Sequence, residues 1–131
     1  MKTITICEKE YLIACNAYTR FEYKRIFNKG IFEDLGTLQE ISAEQEKVRQ
    51  EMSDKSEEEI SNAINTVIFK KLDDFLDVIE KIAYILIYTA NNKCGTFQEF
   101  LGSIEKINLE ESWISEVTEF AVNSFCGQGA N

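Results

Sequence analysis

Asp73, Asp74 and Asp77 place three carboxylates within about one helical turn, the kind of grouping that a divalent cation or a general acid/base pair would use. Adjacent residues on a helix diverge by about 100°, however, and a solvated polar face opposite an apolar stripe accounts for all three. Glu57, Glu58 and Glu59 sit where negative charge favours a helix N-terminus, so structure explains them too. Cys7, Cys15, Cys94 and Cys126 are separated by 8, 79 and 32 residues, whereas a zinc or redox motif needs a pair two to four apart. They read as free thiols. Gly127-Gln128-Gly129 has no strand before it and no helix after it, and so is not a phosphate loop. The chain has no histidine, which removes Ser-His-Asp and Cys-His nucleophile systems together with the usual proton shuttle at neutral pH. No catalytic residue, metal site or cofactor site can be assembled, and the expectation is a protein that is not an enzyme.

Composition narrows the partners. The 131 residues carry 14 Lys and Arg against 23 Asp and Glu, a net charge of −9, so the protein's own field opposes nucleic-acid phosphates and anionic lipid. Its 44% apolar content and 11% aromatics are too rich for a disordered chain. The most apolar run, residues 82–88, is far short of the ~20 residues that cross a bilayer, and no signal-peptide core develops after Met1. A soluble cytoplasmic protein whose partners are other proteins, with neither nucleic acid nor membrane among them, is the expectation.

The elements that position these residues are mostly helices. Thr3-Ile4-Thr5-Ile6 and Tyr11-Leu12-Ile13-Ala14 read as two short strands of a hairpin around Cys7-Glu8-Lys9-Glu10. Asn16 is the N-cap of a helix that runs through Tyr18, Phe21, Ile26 and Phe27 to a stop at Gly30. Residues 39–59 hold eight acidic and three basic side chains with little to bury, and read as an exposed acidic arm or loop. Ser56-Glu57-Glu58-Glu59 has the capping-box arrangement, and an apolar stripe from Ile60 to Ala90 recurs at three- and four-residue steps. About 35 residues of helix would be roughly 50 Å long, so a hinge is expected near residues 71–74, with Asp73 or Asp74 capping the second half. Thr96-Phe97-Gln98-Glu99 and Asn108-Leu109-Glu110-Glu111 are two more capping boxes. The last helix shares Leu109, Trp113, Val117, Phe120, Ala121 and Ser124 on one face before a fraying tail from Gly127. The fold expected is mainly α with a small N-terminal β-hairpin (α+β). It is one helical domain in which residues 1–36 form the hairpin and first helix, 37–59 the acidic arm, and 60–131 the helical core.

Phe97-Gln98-Glu99-Phe100-Leu101, then Ile107-Asn108-Leu109, Trp113-Ile114 and Val117-Thr118-Glu119-Phe120-Ala121, resemble the C-terminal pattern of tail assembly chaperones of long-tailed phages and prophages of Gram-positive bacteria. Asn16-Ala17-Tyr18-Thr19-Arg20-Phe21 and Gly30-Ile31-Phe32-Glu33-Asp34-Leu35 resemble the front half of the same proteins, and about three quarters of the chain is covered. The resemblance implies a small non-enzymatic protein of the host cytoplasm that coats the tape-measure protein, helps recruit tail-tube subunits and self-associates. It carries over no catalytic residue. Four large apolar groups on barely two turns, Phe97, Phe100, Leu101 and Ile104, are more than so short a helix needs for docking, so they and the adjoining Trp113, Val117 and Phe120 are the candidate partner-binding residues. For Trp113 a place in the core is the favoured reading. The alternative function is an acidic decoy or regulatory protein that blocks a nucleic-acid-binding enzyme, for which the charge of −9 and the acidic arm from Gln39 to Glu59 are the evidence.

Overall fold

The computed structural model describes residues 1–106 and 111–126, with only the backbone at Ile68 and Cys126. Strands β1 (Lys2–Ile6) and β2 (Lys9–Ile13) pair antiparallel with Ile6 opposite Lys9. A two-residue loop of Cys7 and Glu8 connects them, both at positive φ, as a hairpin that follows the right-handed twist of its strands requires. β2 therefore starts two residues earlier than the apolar run alone indicates. One face buries Ile4, Ile6 and Ile13, and the other leaves Thr3, Thr5, Glu10 and Leu12 exposed.

Six helices follow among the described residues, making the chain mainly helical with an N-terminal antiparallel hairpin. α1 (Ala17–Phe27) begins at Asn16, whose Oδ1 accepts the Tyr18 N–H at 2.9 Å while Thr19 Oγ1 accepts the Asn16 N–H at 3.0 Å. It ends three residues before Gly30, because Asn28 adopts the left-handed conformation and donates its N–H to the Lys24 carbonyl at 2.8 Å. α2 (Ile31–Glu51) is the main departure from expectation: residues 39–51 are no arm but the greater part of a 21-residue helix, and only 52–56 connect it to the next.

α3 (Glu57–Lys70) starts with Ser56 Oγ accepting the Glu59 N–H at 3.2 Å. Lys71 separates it from α4 (Leu72–Ala90), which places the break at the expected hinge. Asp73 and Asp74 stand in the first turn of α4, where the helix dipole favours them, and not at its cap. Ile82, Ala83, Tyr84, Ile85, Leu86 and Ile87 are all buried, so this apolar-all-round turn of α4 is the centre of the core. α5 (Phe97–Ser103) carries the complete capping box, with Thr96 Oγ1 accepting the Glu99 N–H at 3.1 Å and Glu99 Oε1 accepting the Thr96 N–H at 3.0 Å. α6 (Ser112–Cys126) packs on β1. The capping box at Asn108, the position of Leu109 and the tail from Gly127 lie outside the described residues.

The chain falls into two compact units, 32–78 and the remainder. In the unit of residues 32–78, Leu35, Leu38, Ile41, Ile64 and Val78 are buried, and Lys71 Nζ pairs with Glu44 at 2.8 Å. In the other unit, the Ala14 N–H reaches the Leu86 carbonyl at 3.1 Å, anchoring the end of the hairpin on α4.

Candidate interaction surface

Thr19, Glu22 and Tyr23 form the buried face of α1, while Tyr18 and Phe21 are 55% and 59% exposed, reversing the stripe read from Tyr18 and Phe21. The turn is set by aromatic packing. Tyr23 meets Phe27 edge to face at 4.9 Å, and Phe27 in turn meets Phe97 at 4.9 Å and Tyr84 at 6.2 Å. That leaves two polar side chains facing inward, and each has a partner. Thr19 Oγ1 is 2.8 Å from Thr89 Oγ1. Glu22 accepts from the Tyr18 hydroxyl and pairs with Arg25, whose Nη2 reaches the Tyr88 hydroxyl at 3.4 Å. The Tyr18 hydroxyl, and then Arg25, hold the Glu22 carboxyl below its ordinary value, which keeps it an acceptor.

A groove of about 540 Å³ runs along this surface, walled by Tyr18, Tyr88 and Thr89 and continuing over residues 90–93 at the end of α4. The two tyrosines at its mouth are tied to one Glu22–Arg25 pair, and Tyr18 stacks on Phe21 at 6.0 Å. Such a patch offers flat apolar faces with hydroxyl ends held in place, the composition of an interface anchor. Sequence reasoning missed it. The spacing Tyr18, Glu22 and Arg25 puts three interacting groups on one helix face and was legible; the contribution of Tyr88 was not, because it comes from 63 residues beyond Arg25.

The sequence-derived candidates are distributed differently. Phe100 is 6% exposed and packs on Tyr11 at 6.0 Å and Tyr84 at 5.9 Å, so it belongs to the core. Trp113 at 3% and Val117 at 0% are core residues as well, and Trp113 Nε1 donates to Glu111 Oε2 at 2.7 Å. Their candidacy as surface contacts is corrected on that ground, and the core reading of Trp113 stands. Phe97, Leu101, Ile104 and Phe120 are half-buried, with Phe97 edge-on to Phe27 and Tyr84. A short two-turn helix uses its large side chains for its own docking, since it has too few residues to be held otherwise.

Tyr84 donates its hydroxyl to the Gly95 carbonyl at 2.6 Å, and burial pushes its phenol up to about 12. Burial also raises the thiols of Cys15 and Cys94, so neither is an activated nucleophile. Cys7, Cys15 and Cys94 are free; Cys126 lies outside the described side chains. Among the described residues no cluster of three or more Cys, Asp or Glu has metal-binding geometry, and no helix is long and apolar enough to cross a membrane. No known protein family, curated protein or solved structure matches the chain.

Proposed function

We propose that this chain is a non-enzymatic assembly chaperone of the long-tailed phage type, working in the host cytoplasm, that holds the tape-measure protein by its apolar stripe, helps bring in tail-tube subunits and self-associates. The observation that carries the reading is the exposed Tyr18–Phe21 pair beside its groove on an otherwise strongly charged protein. An amphipathic helical polymer needs its stripe covered reversibly, and exposed aromatics on a charged body do that without making the chaperone itself insoluble. The resemblance of residues 16–21 to the corresponding stretch of such chaperones falls on the same helix.

The test is co-expression of the full chain with a tape-measure segment. Wild type should co-purify with it, and the Phe21→Ser variant should not, while melting as wild type does because that side chain faces solvent and serves no buried polar group. No capture by wild type would sink the reading. The alternative, an acidic decoy that engages a nucleic-acid enzyme, is favoured by one observation: residues 32–78 hold thirteen acidic and five basic side chains. Capture of such an enzyme in place of the tape-measure segment would establish it.

A further inference from the structure

Within residues 32–78, α2 and α3 enclose an open groove of about 550 Å³, lined by Arg49 from α2 and by Glu57, Ile60, Ser61, Ile64 and Asn65 from α3. From this geometry we infer a second interaction surface, which takes a basic amphipathic helix of another protein. It goes beyond the proposed function, since it shares no residue with the Tyr18–Phe21 patch and does not depend on the partner belonging to a phage tail.

The groove has the parts that helix recognition uses. Ile60 and Ile64 lie one turn apart, about 6 Å along the axis at 1.5 Å per residue, the spacing at which an incoming helix presents its own i and i+4 side chains. Ser61 and Asn65 supply a hydrogen-bonding edge, and Phe69, one further turn along from Asn65, is 67% exposed. Arg49 and Glu57 offset one another, so the lining itself is close to neutral.

Charge selects the occupant. The stretch 32–78 carries thirteen acidic against five basic residues, a net −8, whereas the rest of the chain has ten against nine, a net −1. Nearly all of the molecule's net charge thus belongs to the unit that contains the groove. Glu57 itself lines the groove and exposed Glu46 stands one turn before Arg49 on the same side of α2, so each wall carries a carboxylate. A second copy of the chain docking here through its own residues 32–78 would bring two strongly negative units together, which like-charge juxtaposition opposes. A helix with an apolar stripe flanked by Lys or Arg lays the stripe on half-buried Ile60 and the small open edge of Ile64, and sets its cations beside those carboxylates.

The test is fluorescence anisotropy on the full chain with a labelled synthetic peptide of about 18 residues, five helical turns, bearing a Leu stripe and Lys on the other faces. Two controls accompany it: a twin with Glu for every Lys, and a scrambled peptide of the same composition without the stripe. The striped Lys peptide should bind at least about tenfold tighter than either control, and more weakly as salt is raised. Ser61→Arg and Asn65→Arg, both at exposed positions, should retain the wild-type melting temperature and each weaken binding about tenfold by filling the groove and placing a positive charge where the peptide's cations would lie. Thr5→Arg adds the same charge on the exposed face of the hairpin and should change nothing. Equal binding of the scrambled or the Glu peptide, full binding by the two groove variants, or a dimer that Ser61→Arg converts to monomer would overturn the inference. The peptides contain no tape-measure sequence, so their failure would leave the capture experiment of the proposed function standing, and the reverse also holds.

Discussion

Cys7 and Glu8 hold left-handed backbone at φ 49° and 67°, conformations that cost an L-residue roughly 1–2 kcal/mol each. The hairpin accepts that strain because a two-residue loop with both angles positive is what aligns Ile6 with Lys9, and Ile4, Ile6 and Ile13 with the core. Glu8 is exposed, so Glu8→Gly should relieve the strain at no packing cost and stabilise the protein by about 1 kcal/mol in urea unfolding. A destabilised variant would show that the Glu8 side chain makes a compensating contact. Tyr84 gives a pH dependence of definite sign. Its phenol ionises near 10 when unfolded and at about 12 when folded, so the stabilisation is complete below pH 10 and is lost as pH rises through about 12. Tyr84→Phe should flatten that alkaline loss, and at neutral pH should cost about 1 kcal/mol for the hydrogen bond to Gly95. Unfolding free energies measured across this range in both proteins check the two halves of the prediction.

At the scale of elements, α2 shows how far hydrophobic periodicity can mislead. Residues 39–51 bury only Ile41, yet Glu, Gln, Lys and Arg are good helix formers, and Glu44–Lys47, Glu46–Arg49 and Lys47–Glu51 stand at helical pairing distances. Propensity and neighbour charge are the signals there, in place of a stripe. Glu46→Pro, at an exposed site in the middle of the helix, should cost about 3 kcal/mol and reduce far-ultraviolet helicity, whereas in an extended arm it would be silent. The Lys71–Glu44 pair is half-exposed on both sides and worth at most about 1 kcal/mol, so it marks the break at Lys71 more than it enforces it.

Over the whole molecule, burial and charge are divided unevenly. Residues 32–78 bury five large or medium apolar side chains, against eighteen apolar side chains among the described residues of the other unit, and carry net −8. Local opening is easiest where apolar burial is sparse and like charges repel. Hydrogen exchange should therefore show the strongest protection at residues 82–87 of α4 and markedly weaker protection through α2 and α3. Raising salt from about 0.01 M to about 1 M, which shortens the screening length from roughly 30 Å to 3 Å, should increase protection in α2 and α3 far more than at 82–87. Uniform protection across both units would contradict this division.

Much of the fold was legible in the residues alone. The caps at Asn16, Ser56 and Thr96 depend on side chains within three residues of one another and the hairpin on two short runs joined by a tight loop, so nearby spacing determined them, whereas the break between 70 and 72 was expected from helix length. The candidate surface was legible only in part. Which way α1 faces depends on Thr89, Tyr84 and Phe97, which meet Thr19 and Phe27 only once the chain has folded back. For the same reason Phe100 points inward, since Tyr11 and Tyr84 form its site. The helical stripe supplies several apolar residues and does not say which will be covered. Only tertiary packing decided that Tyr18 and Phe21 would be left out in solvent while Thr19 and Glu22 went in, because Phe27 docks on Tyr84 and Phe97 and Thr89 completes the hydrogen bonding of Thr19, while Glu22 keeps its partners Tyr18 and Arg25 on the same helix.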